Sequence, residues 1–258
     1  MTLTRRSALA LAVAFVLTAN GCGTNAEPGA PSNPTNGSEA QSRVRTAGFL
    51  AVDGVYNSEL MAPYDILHHS IFRDESDYIE PFVVSPGGRR VTTFEGLEIG
   101  AHHALDSAPR IDILVIPSAV GSMSSDLEDE RLITWIRKRA EEAEFVITLC
   151  DGAFPLAATG LLNDRDVTTF PGDRDALAAM FPRLRVHDDA NFVVDGKYIT
   201  SVGGALSYEP ALFLLETVYS KNHAVETGVG LVLDWNLDAV PHLIADAPVV
   251  EQQPGTSE

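Results

Sequence analysis

Residues 145–171 read FVITLCDGAFPLAATGLLNDRDVTTFP. Phe145 to Leu149 is a short apolar run of the kind a strand buried on both faces requires. A helical pattern follows at once, from Asp151 to Leu161, and stops around Gly160. A hydrophobic strand that feeds directly into a helix is the repeating unit of a parallel sheet covered by helices. Cys150 falls on the turn between the two.

The same alternation extends in both directions. Upstream, Ala47–Val52 reads as a strand, Glu59–Phe72 as a helix, and Phe82–Val84 as a strand stopped by Pro86-Gly87-Gly88. Val91–Ile99 reads as an extended excursion, Ile111–Ile116 as a strand ended by Pro117, and Leu127–Ala143 as the clearest amphipathic helix. Downstream come a short strand at Val167–Phe170, a helix at Asp173–Phe181, a hairpin at Asn191–Thr200 turning on Asp195-Gly196, and a helix at Glu209–Tyr219. The expected fold is α/β, with a mostly parallel sheet and helices on both faces.

Sheets of this kind place function at the carboxyl ends of their strands. Cys150 stands at one such end, in a strand-to-helix turn of nucleophile-elbow type. Amides and dipole at a helix start favour an anion, so a lowered thiol pKa is expected there. The alternative is a small buried apolar side chain.

With these residues in view, the chain resembles the DJ-1/PfpI superfamily, whose members share a flavodoxin-like, glutamine-amidotransferase-like α/β fold. The resemblance rests on residues 145–171 and on three further stretches in order: Val52–Leu67 (VDGVYNSELMAPYDIL), Ile113–Pro117 (ILVIP) and Phe192–Gly204 (FVVDGKYITSVGG). It covers roughly residues 46 to 220. It implies that Cys150 is the functional thiol and that Glu59, near the start of the first helix, lies beside it. A carboxyl so placed is expected to be partly protonated, to hydrogen-bond the sulfur, or to relay a proton. Its structural alternative is a helix-start charge, and Asp53 reads as a turn former with Gly54.

Many relatives carry a histidine in a Thr-Thr-His stretch about twenty residues after the thiol. Here that place reads Thr168-Thr169-Phe170-Pro171, and phenylalanine cannot take a proton. His187 is the best-placed substitute base, with a surface histidine beside Asp188 and Asp189 as the alternative. Anion-stabilising amides are expected from Asp151 and from the loop Ser118-Ala119-Val120-Gly121, where relatives have Pro-Gly-Gly. Gly152 allows close backbone approach, and Gly203 and Gly204 line the same mouth, as does Phe170. The remaining histidines (His68, His69, His102, His103, His223 and His242) show no metal-ligand spacing, so neither a metal nor another cofactor is expected.

Three readings stay open. Cys150 attacks a small carbonyl, nitrile-like or amide carbon in an enzyme of hydrolase, hydratase or lyase type, with Glu59 as proton shuttle. The thiol is instead a sensor or scavenger that meets an oxidant and passes reversibly to sulfenic or sulfinic acid. Or the chain is a lipid-tethered binding domain on an enzyme-like fold.

The flanks set the context. Residues 1–21, MTLTRRSALALAVAFVLTANG, have the charged, apolar and small-residue order of an export signal, and about ten apolar residues are too few to span a bilayer. Leu17 to Cys22 resembles a bacterial lipobox, with Ala19 where leucine is preferred, so Cys22 is expected to carry lipid; a plain secretory signal is the alternative. Arg5-Arg6 also resembles a twin-arginine signal. Residues 22–44 have no large apolar side chain before Val44 and read as a flexible tether, followed by a domain at 45–220 and an extension at 221–258. Trp235 and its apolar neighbours are expected to pack on the core or on a second subunit, with residues 251–258 disordered.

The chain has 258 residues, 45% of them hydrophobic, and 36 acidic against 18 basic side chains give −18. Loss of residues 1–21 removes only Arg5 and Arg6. Such an acidic body repels nucleic acid and anionic membrane surfaces. The expected setting is the bacterial cell envelope, with membrane contact only through lipid, no nucleic-acid partner, and homodimerisation by family analogy.

Overall fold

The computed structural model describes residues 43–250. The export signal, Cys22, all of the tether but Arg43 and Val44, and the end from Glu251 lie outside them.

Eight strands form the central sheet: β1 Arg45–Leu50, β2 Ile79–Ser85, β3 His103–Ala104, β4 Ile113–Ile116, β5 Phe145–Leu149, β6 Phe192–Asp195, β7 Tyr198–Ser201 and β8 His242–Asp246. Their spatial order is β8-β6-β7-β5-β4-β1-β2-β3. All neighbouring pairs are parallel except β6 with β7. The β6–β7 hairpin therefore reverses one edge, and β8 follows β6 in the reversed sense.

Seven α-helices flank the sheet: α1 Asn57–His69, α2 Ser125–Glu128, α3 Glu130–Glu142, α4 Ala153–Ala158, α5 Arg174–Met180, α6 Tyr208–Val218 and α7 Lys221–Gly230. Successive strand residues feed opposite layers. Phe145, Ile147 and Leu149 join Leu60, Ile66, Leu212 and Phe213 of α1 and α6, whereas Val146 joins Trp135, Ile136, Phe154 and Leu177 of α3, α4 and α5. This period of two with both faces buried is why the strands read as unbroken apolar runs.

Several local boundaries differ from the sequence expectation, each for a physical reason. The helix expected at 127–143 is two helices, because Asp129 interrupts it and caps α3, its Oδ1 accepting from the amides of Arg131 and Leu132 at 3.0 Å each. The helix expected from Asp151 begins as a 3₁₀ turn at Cys150–Gly152 and continues only through the six residues of α4, with Gly160 at φ 81° beyond its end. The strand expected at Val167–Phe170 is confined to Asp166–Val167, paired in parallel with Arg185–Val186, because the following threonines turn their bonds elsewhere. The hairpin loop is Gly196-Lys197, one residue later than expected, with Asp195 still paired to Tyr198 and Gly196 at φ 58°. The excursion at Val91–Ile99 is a small antiparallel ribbon, Val91–Thr92 with Glu98–Ile99.

Both ends of the domain are tied in. Arg43, read as the last part of a tether, bonds Asp112 at 2.7 Å and Glu144 at 2.6 Å. The extension after residue 220 contributes α7 and the edge strand β8. Trp235 is buried in the α1–α6 layer and donates its indole N–H to Glu216 at 2.8 Å.

Candidate active site

Four neighbouring strands, β7, β5, β4 and β1, deliver the site at their carboxyl ends. β5 runs straight into Cys150. The cysteine has φ 52°, in the left-handed region that a residue with a Cβ adopts only when its surroundings impose it. Two glycines make that turn feasible. A Cβ on Gly152 would lie 2.1 Å from the Ile116 carbonyl oxygen, so the chain after the elbow passes directly under the end of β4. A Cβ on Gly203, itself at φ +74°, would lie 2.6 Å from both Cβ and N of Cys150. Thr169 holds the elbow from the other side, its hydroxyl donating to the Cys150 carbonyl at 2.8 Å and lying 3.2 Å from Asp151 Oδ1.

Glu59 sits in the first turn of α1 and is buried, with only 4% exposure. Its Oε2 accepts the Ser118 amide at 2.9 Å, after β4, and its Oε1 accepts the Gly204 amide at 3.3 Å, after β7. One carboxyl thus ties the start of α1 to the loops after β4 and β7, beside the Cys150 elbow. Burial pushes its pKa up from the usual carboxylate value to about 7, against the lowering effect of the two amides and the sulfur.

The thiol does not have the lowered pKa expected of it. Burial, then the negative charges of Glu59 and Asp151, push it up, and the nearby Asp151 amide and Ser118 hydroxyl oppose this without prevailing. The helix behind the elbow is too short for a full dipole, and it faces two carboxyls. Burial and the two carboxyls thus favour the protonated thiol. Asp151, likewise raised to about 6 by burial and by Asp173, adds a third acid group to the cluster.

The other expected residues are placed as follows. The Ser118 amide serves Glu59, and the Ala119 amide serves the Ser122 hydroxyl at 2.9 Å, so neither is free as an oxyanion donor. Gly121 shapes the turn into α2, its carbonyl accepting from Ser124 and Asp126. His187 is bound through Nε2 to Asp166 Oδ1 at 2.7 Å on the small edge ribbon, and no bond from its ring to Cys150 or Glu59 exists among the described residues. The acid beside His187 is thus Asp166. Phe170 follows Thr169 and is 46% exposed. Asp53 accepts the Thr92 amide at 2.8 Å, as a turn former should.

The profile of the DJ-1/PfpI family matches residues 45–217. The chain belongs to the DJ-1/PfpI family. It is 27% identical over 180 residues to an isonitrile hydratase of Pseudomonas putida, covering 66% of this chain and 73% of that protein. It is 25% identical over 192 residues to the HTH-type transcriptional regulator GbdR of Pseudomonas aeruginosa, but spans only half of that regulator's length. Among solved structures, a THiJ/PfpI family protein from Pseudomonas syringae superposes with TM-score 0.67 at 20% identity over 79% of this chain and 81% of that one. DJ-1beta of Drosophila melanogaster gives 0.66 at 22% over 75% and 100%. These likenesses establish the fold.

Three site residues were not legible in the sequence. Tyr56 has its hydroxyl pKa raised by burial and then by the charges of Cys150, Glu59 and Asp151, and its ring lies 4.8 Å from that of Phe94. Thr169 and Asp173 border the elbow from the loop before α5. No periodicity marks loop residues that meet only through the fold.

Proposed function

We propose that this family member is a cysteine-dependent hydratase of small carbon electrophiles of the isonitrile type. The observation that carries the reading is the buried Glu59 carboxyl beside the Cys150 elbow, held by the Ser118 and Gly204 amides, with its pKa raised to about 7. Such a group both accepts and returns a proton near neutral pH. An isonitrile carbon suits a protonated thiol, because that one carbon takes up both the sulfur and the proton.

The sequence of bonds follows. The sulfur attacks the terminal carbon while the thiol proton passes through Glu59 to the same carbon, giving a thioimidate, R–N=CH–S–Cys150. Water adds to that carbon, its proton moving to nitrogen by way of Glu59. The carbon–sulfur bond then breaks as the hydroxyl becomes a carbonyl, releasing the N-substituted formamide and restoring the thiol. The Asp151 amide stabilises negative charge at the sulfur in the first and last steps.

Reversible oxidation of Cys150 requires a thiolate, which burial and two carboxyls disfavour. Regulation by DNA binding is disfavoured by the net charge of −18. We extend the proposal to location on the sequence pattern alone: export through residues 1–21 and lipid on Cys22, with the domain acting at the cell envelope, and a homodimer by family analogy.

The test is incubation of the purified chain with cyclohexyl isonitrile and detection of N-cyclohexylformamide by mass spectrometry. Formation by the native chain and its loss in Cys150→Ser are expected; turnover that survives in Cys150→Ser rejects the covalent mechanism.

A further inference from the structure

Large apolar side chains stand exposed on each of four loops around the elbow. Val120 follows the Ser118 that bonds Glu59, Phe94 lies against Tyr56, Phe170 follows the Thr169 that holds the Cys150 carbonyl, and Leu206 follows Gly204. Their exposures run from 39% to 61%, and each lies against, or within two residues of, a residue that borders Glu59 or Cys150. Below them the polar groups are acidic: Glu59, Asp151 and Asp173, with Glu95 at the rim on the Asn57 amide. The nearest cation in sequence, Arg174, turns its guanidinium to the carbonyls of Asp188 and Ala190 and does not neutralise them.

We infer that the site selects uncharged electrophiles carried on an apolar substituent and rejects anionic ones, with Phe94 and Phe170 as specificity-determining residues. The apolar rim gains by covering a hydrocarbon group, and the acids beneath repel a carboxylate or phosphate at the same distance from the sulfur. This deepens the hydratase reading by naming its substrate class, but it depends only on what reaches the thiol.

The experiment measures second-order alkylation of Cys150 in the intact chain by peptide mass spectrometry, with iodoacetamide, N-phenyl iodoacetamide and iodoacetate, each normalised to its rate with N-acetylcysteine. We expect N-phenyl iodoacetamide to exceed iodoacetamide by about 10-fold, in line with partial burial of a ring, and iodoacetate to fall behind by a similar factor. Phe94→Ala and Phe170→Ala should each cut the phenyl preference about threefold and leave the charge discrimination intact. Normalised rates that are equal for all three reagents overturn the inference, as does a thiol that none of them reaches. A shift in oligomeric state on Phe94→Ala with no change in preference also overturns it, assigning the rim to a second copy of the chain. A phenyl preference without isonitrile turnover leaves the inference standing and removes the hydratase; turnover with no preference does the reverse.

Discussion

Gly203 and Cys150 are packed so closely that the glycine has no room for a methyl group, since its Cβ would stand 2.6 Å from the cysteine Cβ. The contact joins the end of β7 to the end of β5, and Gly203 also needs its positive φ. A Gly203→Ala change should therefore cost about 2–4 kcal/mol from overlap and backbone strain together. Urea denaturation measures the loss. Cys150 alkylation in the still-folded fraction should also change, because the only escape from the overlap is movement of the elbow.

Glu59 links the site to pH. Its folded pKa of about 7 lies above the ordinary glutamate value of 4.5, so the folded chain holds this proton more tightly than the unfolded one. The associated stability is complete below pH 4.5 and is lost as pH rises through about 7. Glu59→Gln should flatten the fall in unfolding free energy between those limits, by up to about 3 kcal/mol on a buried group. The same variant lacks the charge that raises the thiol pKa, so its Cys150 should alkylate faster than the native thiol at pH 8. A native pH profile retained in Glu59→Gln would assign the slope to another acid, such as Asp151.

Much of this site can be read from the sequence because it depends on backbone placement. Cys150 follows an apolar strand, Glu59 opens the first helix, and Gly152 and Gly203 mark places where chain passes chain; each belongs to a local pattern that survives without coordinates. The thiol pKa does not belong to such a pattern. It is set by burial and by two carboxyls, and although Asp151 is the next residue, the burial and Glu59, 91 positions away, do not appear in a local window. The partner of His187 is hidden for the same reason: Asp166 lies in a ribbon of two-residue strands too short for any periodicity. The amides of Ser118 and Ala119 were correctly placed near the site but already have partners, which only the bond pattern reveals.

Thr169 is expected to be a positioning residue. Its hydroxyl is buried and donates to the carbonyl of the one strained residue in the elbow. Thr169→Val keeps the shape and removes the donor, so it should destabilise by about 1–2 kcal/mol through an unsatisfied buried carbonyl. Thr169→Ser, which restores the hydroxyl, should recover most of that loss and return the Cys150 alkylation profile to its native form. If Val behaves like the native chain and Ser is destabilised, packing by the methyl group matters and the hydrogen bond does not.

The extension beyond residue 220 is expected to be part of the folding unit and not an appendage. Trp235 fills the layer between α6, α7 and the sheet, with its indole N–H on Glu216, and Gly228 allows the chain to fold back over it, its own Cβ position lying 3.0 Å from the Leu233 carbonyl oxygen. Trp235→Ala removes a buried aromatic ring and should cost about 3–5 kcal/mol. Trp235→Phe keeps most of the burial but leaves Glu216 without its partner, and should cost less, about 1–2 kcal/mol. Because α1 carries Glu59 in the same layer, the alanine variant should also shift the pH dependence of Cys150 alkylation. A destabilised Trp235→Ala chain with an unchanged alkylation profile would show that the layer supports the fold without positioning the acid.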